Sequence, residues 1–177
     1  MPTDNYQLVA FNIPEHLVYY FARKLGNEVE LLPDGSYTTE TIVRKNSFYG
    51  QHIYTNIIEN PKPKTIKANF YLKIRNTIRI DYPNLPDARY VGIMLDKEVE
   101  NFINKHLYHI LKTELISYVD GALFSYQREK GITKGITHRA ISEFMFKNRI
   151  LINDSTFENF RKMHYREKKR PKKLIFS

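Results

Sequence analysis

The segment FENFRKMHYREKKRPKK, residues 157–173, holds eight Lys or Arg against two Glu, a net +6 within a chain of +9. Cations at this density can neutralise phosphates, and Arg or Asn side chains can also read base edges. Ser155-Thr156-Phe157-Glu158 has capping-box spacing, which places Ser155 at the N-cap of a helix over roughly 156–169. Pro171 blocks its continuation. In helical projection Phe157, Phe160, Met163 and His164 lie together and face a core. Asn159, Lys162, Arg166 and Lys169 fall on another face at steps of three or four residues. Arg170, Lys172 and Lys173 extend the charge beyond the helix. The simpler account is a solvated basic end, since cations near a helix C-terminus also favour the macrodipole.

Other constellations are weaker. The segment TIKANFYLKIRNTIRIDY, residues 65–82, alternates apolar and polar residues, with a break in the pattern near Asn76. Lys67, Tyr71, Lys73, Arg75 and Arg79 share a face opposite Ile66, Ala68, Phe70, Leu72 and Ile74. Cations interleaved with an aromatic suit single-stranded nucleic acid or an RNA-associated subunit, while the water-facing side of an antiparallel sheet is the simpler reading. His106 and His109 in HLYH stand one helical turn apart. A metal would need a third ligand, and Glu98, Glu100 and Glu114 are candidates only by position on the same helix, with Asp96 too far along it. Two partly exposed histidines beside an apolar stripe are the better reading. Tyr165 sits among Arg161, His164 and Arg166 as a DNA-cleaving tyrosine does, but adjacent residues on a helix diverge. There is no phosphate-binding P-loop and no dinucleotide-binding glycine loop; Gly131 and Gly135 lack the required continuation. A nucleophile elbow is also absent. The expectation is a non-enzymatic protein with no cofactor and no metal.

These side chains need elements to hold them. Residues 6–13 read as a strand, and Pro14 to Gly26 as a short helix between an N-terminal proline and a C-terminal glycine. Pro33-Asp34-Gly35 is a turn joining strands near 28–32 and 36–44. Residues 59–65, with two prolines, read as an extended linker. One long strand over 65–82, or two with a break near Asn76, a loop and a strand at 90–95 follow. From Asp96, a plausible N-cap, the period becomes helical through Val99, Phe102, Ile103, Leu107, Ile110, Leu111, Leu115, Tyr118 and Val119. Gly121 ends or kinks that helix, and residues 122–131 follow or continue it. Thr137 can cap the next, whose stripe is Ile136, Ala140, Ile141, Phe144 and Met145. The fold class expected is α+β, with a β-rich region at 1–95, an antiparallel sheet and one short helix, then an all-helical region at 96–177. Helices 122–130, 138–148 and 156–169 are compatible with a helix-turn-helix-like unit, although the 149–154 connection is longer than that motif's usual turn of about 3–4 residues.

The 177 residues suffice for one domain or two small ones, with a sizeable core. Cysteine is absent, which removes disulfides, thiolate metal sites and cysteine nucleophiles together. The N-terminus lacks signal-peptide character, and no apolar run approaches the roughly 18 residues of a membrane span. A cytoplasmic protein with no membrane association is expected. The runs ISEFMFKNRILINDSTFENFRKMHYREKKR (141–170) and VGIMLDKEVENFINKHL (91–107) resemble a pattern in uncharacterised small basic proteins of Bacteroidetes phages and mobile elements. The resemblance covers about the C-terminal half. It implies a phage or mobile-element origin and carries no residue role. Charge and pattern together point to a nucleic-acid-binding, regulatory protein, with DNA favoured over RNA. The alternative is a structural or interaction subunit of a phage particle (located in the virion) or of a nucleoprotein assembly. There the 96–119 helix would meet a protein partner or a second copy.

Overall fold

The computed structural model describes residues 6–44, 46–59, 68–75, 93–131, 134–150 and 153–169. The protein is α+β, and the chain divides into two compact units, Met1–Leu107 and Tyr108–Ser177. The first contains β1 (Tyr6–Phe11), α1 (Glu15–Lys24), β2 (Glu30–Leu31), β3 (Tyr37–Thr41), α2 (Phe48–Glu59), β4 (Phe70–Arg75) and β5 (Ile93–Met94). It also takes the opening turns of α3 (Lys97–Lys130), within which the units divide.

The five strands form one sheet in the order β2-β3-β4-β1-β5. β1 is antiparallel to β4 and parallel to β5, while β3 is antiparallel to β2 and parallel to β4. The sheet is therefore mixed, a correction to the antiparallel sheet expected from alternation. A tight turn reverses the chain between β2 and β3. Asp34 Oδ1 accepts the Ser36 N–H at 2.9 Å, and Gly35 takes φ +81°. Between β3 and β4 the chain passes instead through α2, and a helical crossover returns it in the same direction.

α2 is the second helix of this unit, where sequence pattern indicated one. Its first turn is held by Ser47, whose Oγ accepts the Gly50 N–H at 3.1 Å. Glycine is required at 50, because a Cβ there would stand 2.0 Å from the Arg44 carbonyl oxygen. α1 forms where expected, with Pro14 at its N-cap rather than inside its first turn. Pro14 accepts the first turn's Leu17 N–H, and Gly26 adopts φ +77°. The Asn27 N–H bonds Ala22 O at 3.0 Å and the Gly26 N–H bonds Arg23 O at 2.9 Å, a Schellman closure.

The core of this unit is aromatic. Phe11, Phe21 and Phe70 are fully buried, with the Phe11–Phe70 pair edge to face at 5.2 Å. Phe70, Leu72 and Ile74 alternate inward along β4 as expected. Ala68 leaves that phase: it packs with Ala10, Met94 and Tyr71 instead. The bend at Asn69 accounts for the slip, because the strand begins only at Phe70.

Polar side chains take over where β1 ends. Asn69 receives the Ile13 N–H on Oδ1 at 2.9 Å and donates Nδ2 to Ile13 O at 2.8 Å. Glu100, buried on α3, accepts the Asn12 N–H at 2.8 Å and pairs with Lys97. Asn104 Nδ2 donates to Asn12 O at 2.8 Å. Glu100→Ala is expected to cost about 1.5–3 kcal/mol, the range for hydrogen bonds to a charged group. Glu100→Gln, which keeps an acceptor, should cost less. Urea unfolding midpoints test the order, and an alanine variant as stable as the wild type would refute it.

Burial holds the half-buried His16 below its ordinary value, against the opposing field of Glu15. The unfolded chain therefore takes up this proton first as pH falls through about 6.5. Above that pH His16 has little effect on stability; below it, the folded state is penalised. His16→Asn should reduce the stability lost between about pH 7.5 and 5.5 in paired denaturation curves.

Candidate nucleic-acid interface

The second unit comprises α3 from Tyr108 onward, α4 (Ile136–Lys147) and α5 (Asp154–Lys169). α3 runs through Gly121 without a break, so residues 122–130 are its final turns and not a separate helix. Leu111, Leu115 and Val119 of α3 are buried, as is the whole expected stripe of α4. Tyr118 packs on Phe144 at 5.8 Å, and Phe144 on Phe160 at 6.4 Å.

Both helix starts differ from the sequence reading. Gly135, at φ +82°, is the N-cap of α4, and Thr137 lies inside the first turn. Ile136 is buried, and starting the helix there carries it to the core. The N-cap of α5 is Asn153, not Ser155: its Oδ1 accepts the Thr156 N–H at 2.8 Å and its carbonyl the Phe157 N–H at 3.0 Å. Asn and Ser cap equally well, so spacing alone could not choose between them. At the other side of the junction, α4 closes with a Schellman pair. The Ile150 N–H bonds Met145 O and the Arg149 N–H bonds Phe146 O, with Arg149 at φ +53°.

The rotation of α5 about its axis is set by what it buries. Phe160, Met163 and His164 face inward, with Phe157 half-buried against His138. His164 Nε2 lies 2.9 Å from Asp120 Oδ1, and Glu167 Oε2 lies 2.6 Å from Lys112 Nζ. Asn159, Lys162, Arg166 and Lys169 are consequently exposed together. Other cations of the helix have partners: Arg161 bonds Glu158 at 2.8 Å, and Lys168 lies 3.7 Å from Asp120. No carboxylate of the described residues pairs with Lys162, Arg166 or Lys169. Arg170, Lys172 and Lys173 lie outside the described residues.

Tyr165 is 57% exposed, and Lys169 Nζ stands 4.8 Å from its ring centroid. Of the groups near it in sequence, His164 turns inward to Asp120 and Arg161 bonds Glu158. The strand face is occupied otherwise. Tyr71 is half-buried against Ala10, Ala68 and Met94, and Lys73 lies 3.8 Å from Glu30. Lys67, Arg79 and the side chain of Arg75 lie outside the described residues. His106 packs tilted against Phe48 at 4.1 Å with its Nδ1 3.2 Å from the Tyr49 hydroxyl, whose pKa burial pushes up to about 12. Among the described residues no group of three or more His, Asp or Glu is placed to hold a metal ion, and no helix is long and apolar enough to cross a membrane.

The inward contacts Asp120–His164 and Lys112–Glu167 carry no local sequence signal, because their partners are 44 and 55 residues apart. Comparison with protein-family models, with curated proteins and with solved structures finds no match to the chain.

Replacing the cap tests how this face is started. Asn153→Ala should cost about 1 kcal/mol, and Ser155→Ala less than about 0.5. The reverse order in thermal or urea unfolding would return the cap to Ser155.

Proposed function

We propose that the protein binds nucleic acid without catalysing a reaction, with DNA the favoured partner, and that the C-terminal half of α5 makes the contact. One observation carries this reading: Lys162, Arg166 and Lys169 form an exposed row without carboxylate partners among the described residues, while the helix's other described cations are paired. Steps of four and three residues advance about 6 and 4.5 Å along the axis, a spacing suited to successive phosphates of a strand. Arg170, Lys172 and Lys173 would add attraction that is independent of sequence. Asn159 and Arg166 are the side chains that could meet base edges.

A helix-turn-helix-like unit would present the N-terminal residues of its recognition helix to bases. Here Asp154 and Glu158 occupy that end and oppose a phosphate-lined groove. The link from Lys147 to Asp154 is also longer than that motif's turn of about 3–4 residues. These features favour approach through the basic C-terminal half.

A second reading, an interaction subunit of a phage particle or nucleoprotein assembly, draws on a different observation. Phe48 and Phe102 keep 44% and 38% of their surface exposed while packed against His52 and His106. Substituting Lys162, Arg166 and Lys169 together by Ala separates the readings. Binding should weaken, and the slope of log affinity against log salt should shrink by about two to three. Unchanged affinity and slope would defeat the nucleic-acid assignment, and a stable oligomer in the same sample would then support the second.

A further inference from the structure

We infer that Tyr165 is a stacking platform for an unpaired base, so that the α5 face prefers single-stranded nucleic acid to duplex. This inference rests on the nucleic-acid reading and goes beyond it by naming the form of the ligand. Tyr165 follows Lys162 by three residues and precedes Lys169 by four, so all three share one face of the helix. The other aromatic rings of α5 have packing roles: Phe160 is buried, and Phe157 lies 4.4 Å from the ring of His138. Tyr165 alone presents its ring to solvent, at 57% exposure. Lys169 lies over that ring at 4.8 Å, which ties the aromatic surface to a phosphate-binding cation.

Ligand form follows from what each polymer exposes. A duplex offers phosphates along its backbone but keeps its base faces stacked inside. A single strand offers both, and a ring flanked by cations can use both at once. Lys162 and Lys169, one turn to either side of Tyr165, would hold the phosphates flanking the stacked nucleotide. The binding is tolerant of sequence, because every base has a π-face.

The test uses the full chain with three labelled probes: a 20-nucleotide oligo-dT, a 20-nucleotide oligo-rU and a 20-base-pair duplex. Fluorescence anisotropy should show tighter binding to the single strands. Tyr165→Ala should lower single-strand affinity roughly tenfold and change duplex affinity less than about twofold. Tyr165→Phe should stay within about twofold of wild type on every probe. The chain contains no Trp, so Tyr165→Trp supplies a single reporter, whose emission should be quenched by the single strands. Tighter binding of both oligo-dT and oligo-rU than of the duplex supports stacking, whichever of the two ranks first. Equal losses on strand and duplex, no loss at all, or an unquenched Trp would overturn the inference. The triple Ala variant of Lys162, Arg166 and Lys169 keeps the two levels apart. If it abolishes binding while Tyr165→Ala does nothing, stacking alone falls; if it changes nothing, the nucleic-acid reading falls with it. Circular dichroism confirms that each variant folds.

Discussion

A buried imidazole loses its hydration and needs a partner for each polar ring atom that water no longer reaches. Asp120 supplies one to His164, with Nε2 and Oδ1 2.9 Å apart and the imidazole only 4% exposed. Leaving such a group unsatisfied costs about 1–3 kcal/mol, enough to discriminate between rotational settings of a helix. Glu167 and Lys112 reinforce the same setting. Turning α5 by one residue, about 100°, would break both contacts and expose Phe160 or Met163. The outward row of Lys162, Arg166 and Lys169 thus follows from what is hidden. The candidate site is the complement of a packing problem.

The first unit solves a similar problem at the end of β1. A strand leaving a sheet strands its last N–H and C=O groups, and here Asn69 and Glu100 take them up. Glu100 is 3% exposed while its partner Lys97 keeps most of its side chain in water. The value of the carboxylate therefore lies more in the Asn12 N–H it accepts than in the ion pair, because a lysine already solvated gains little from pairing. In both units a polar side chain fixes the register of apolar packing, which by itself is non-directional.

Local signals carried much of the fold. Pro14 and Gly26 bracket α1, the Pro33-Asp34-Gly35 turn lies where its chemistry places it, and the inward stripes of α4 and β4 hold from Ile136 to Met145 and from Phe70 to Ile74. What was illegible depends on distant partners. α2 begins FYGQHIYT, rich in aromatic and β-branched residues with a glycine in its first turn, a poor helix by propensity. It is held by Ser47 and by burial of Ile53 and Tyr54, and its glycine answers to the Arg44 carbonyl, not to helix formation. Parallel pairing of β3 with β4 follows from that missed crossover. At the candidate interface the outward face was readable, because helical projection needs only the sequence. Which cations are already paired was not, since Lys168 meets Asp120 across 48 residues.

The charge count of the C-terminal segment overstates what a ligand would meet, and the macrodipole competes to explain part of the remainder. Cations near a helix C-terminus are stabilised by about 0.3–1 kcal/mol, an effect confined to the last turn. Arg166 and Lys169 fall within that turn and gain from it whether or not a ligand exists. Lys162 does not: seven residues before Lys169 it stands about 10 Å from the end, where the dipole offers little. Nor does the dipole explain Tyr165, an uncharged ring left in water between them. Helix stability alone does not account for a cation at 162, because Glu158, the carboxylate one turn before it, is already bonded to Arg161. A cation there and an exposed ring beside it are what a polyanion with accessible bases would select.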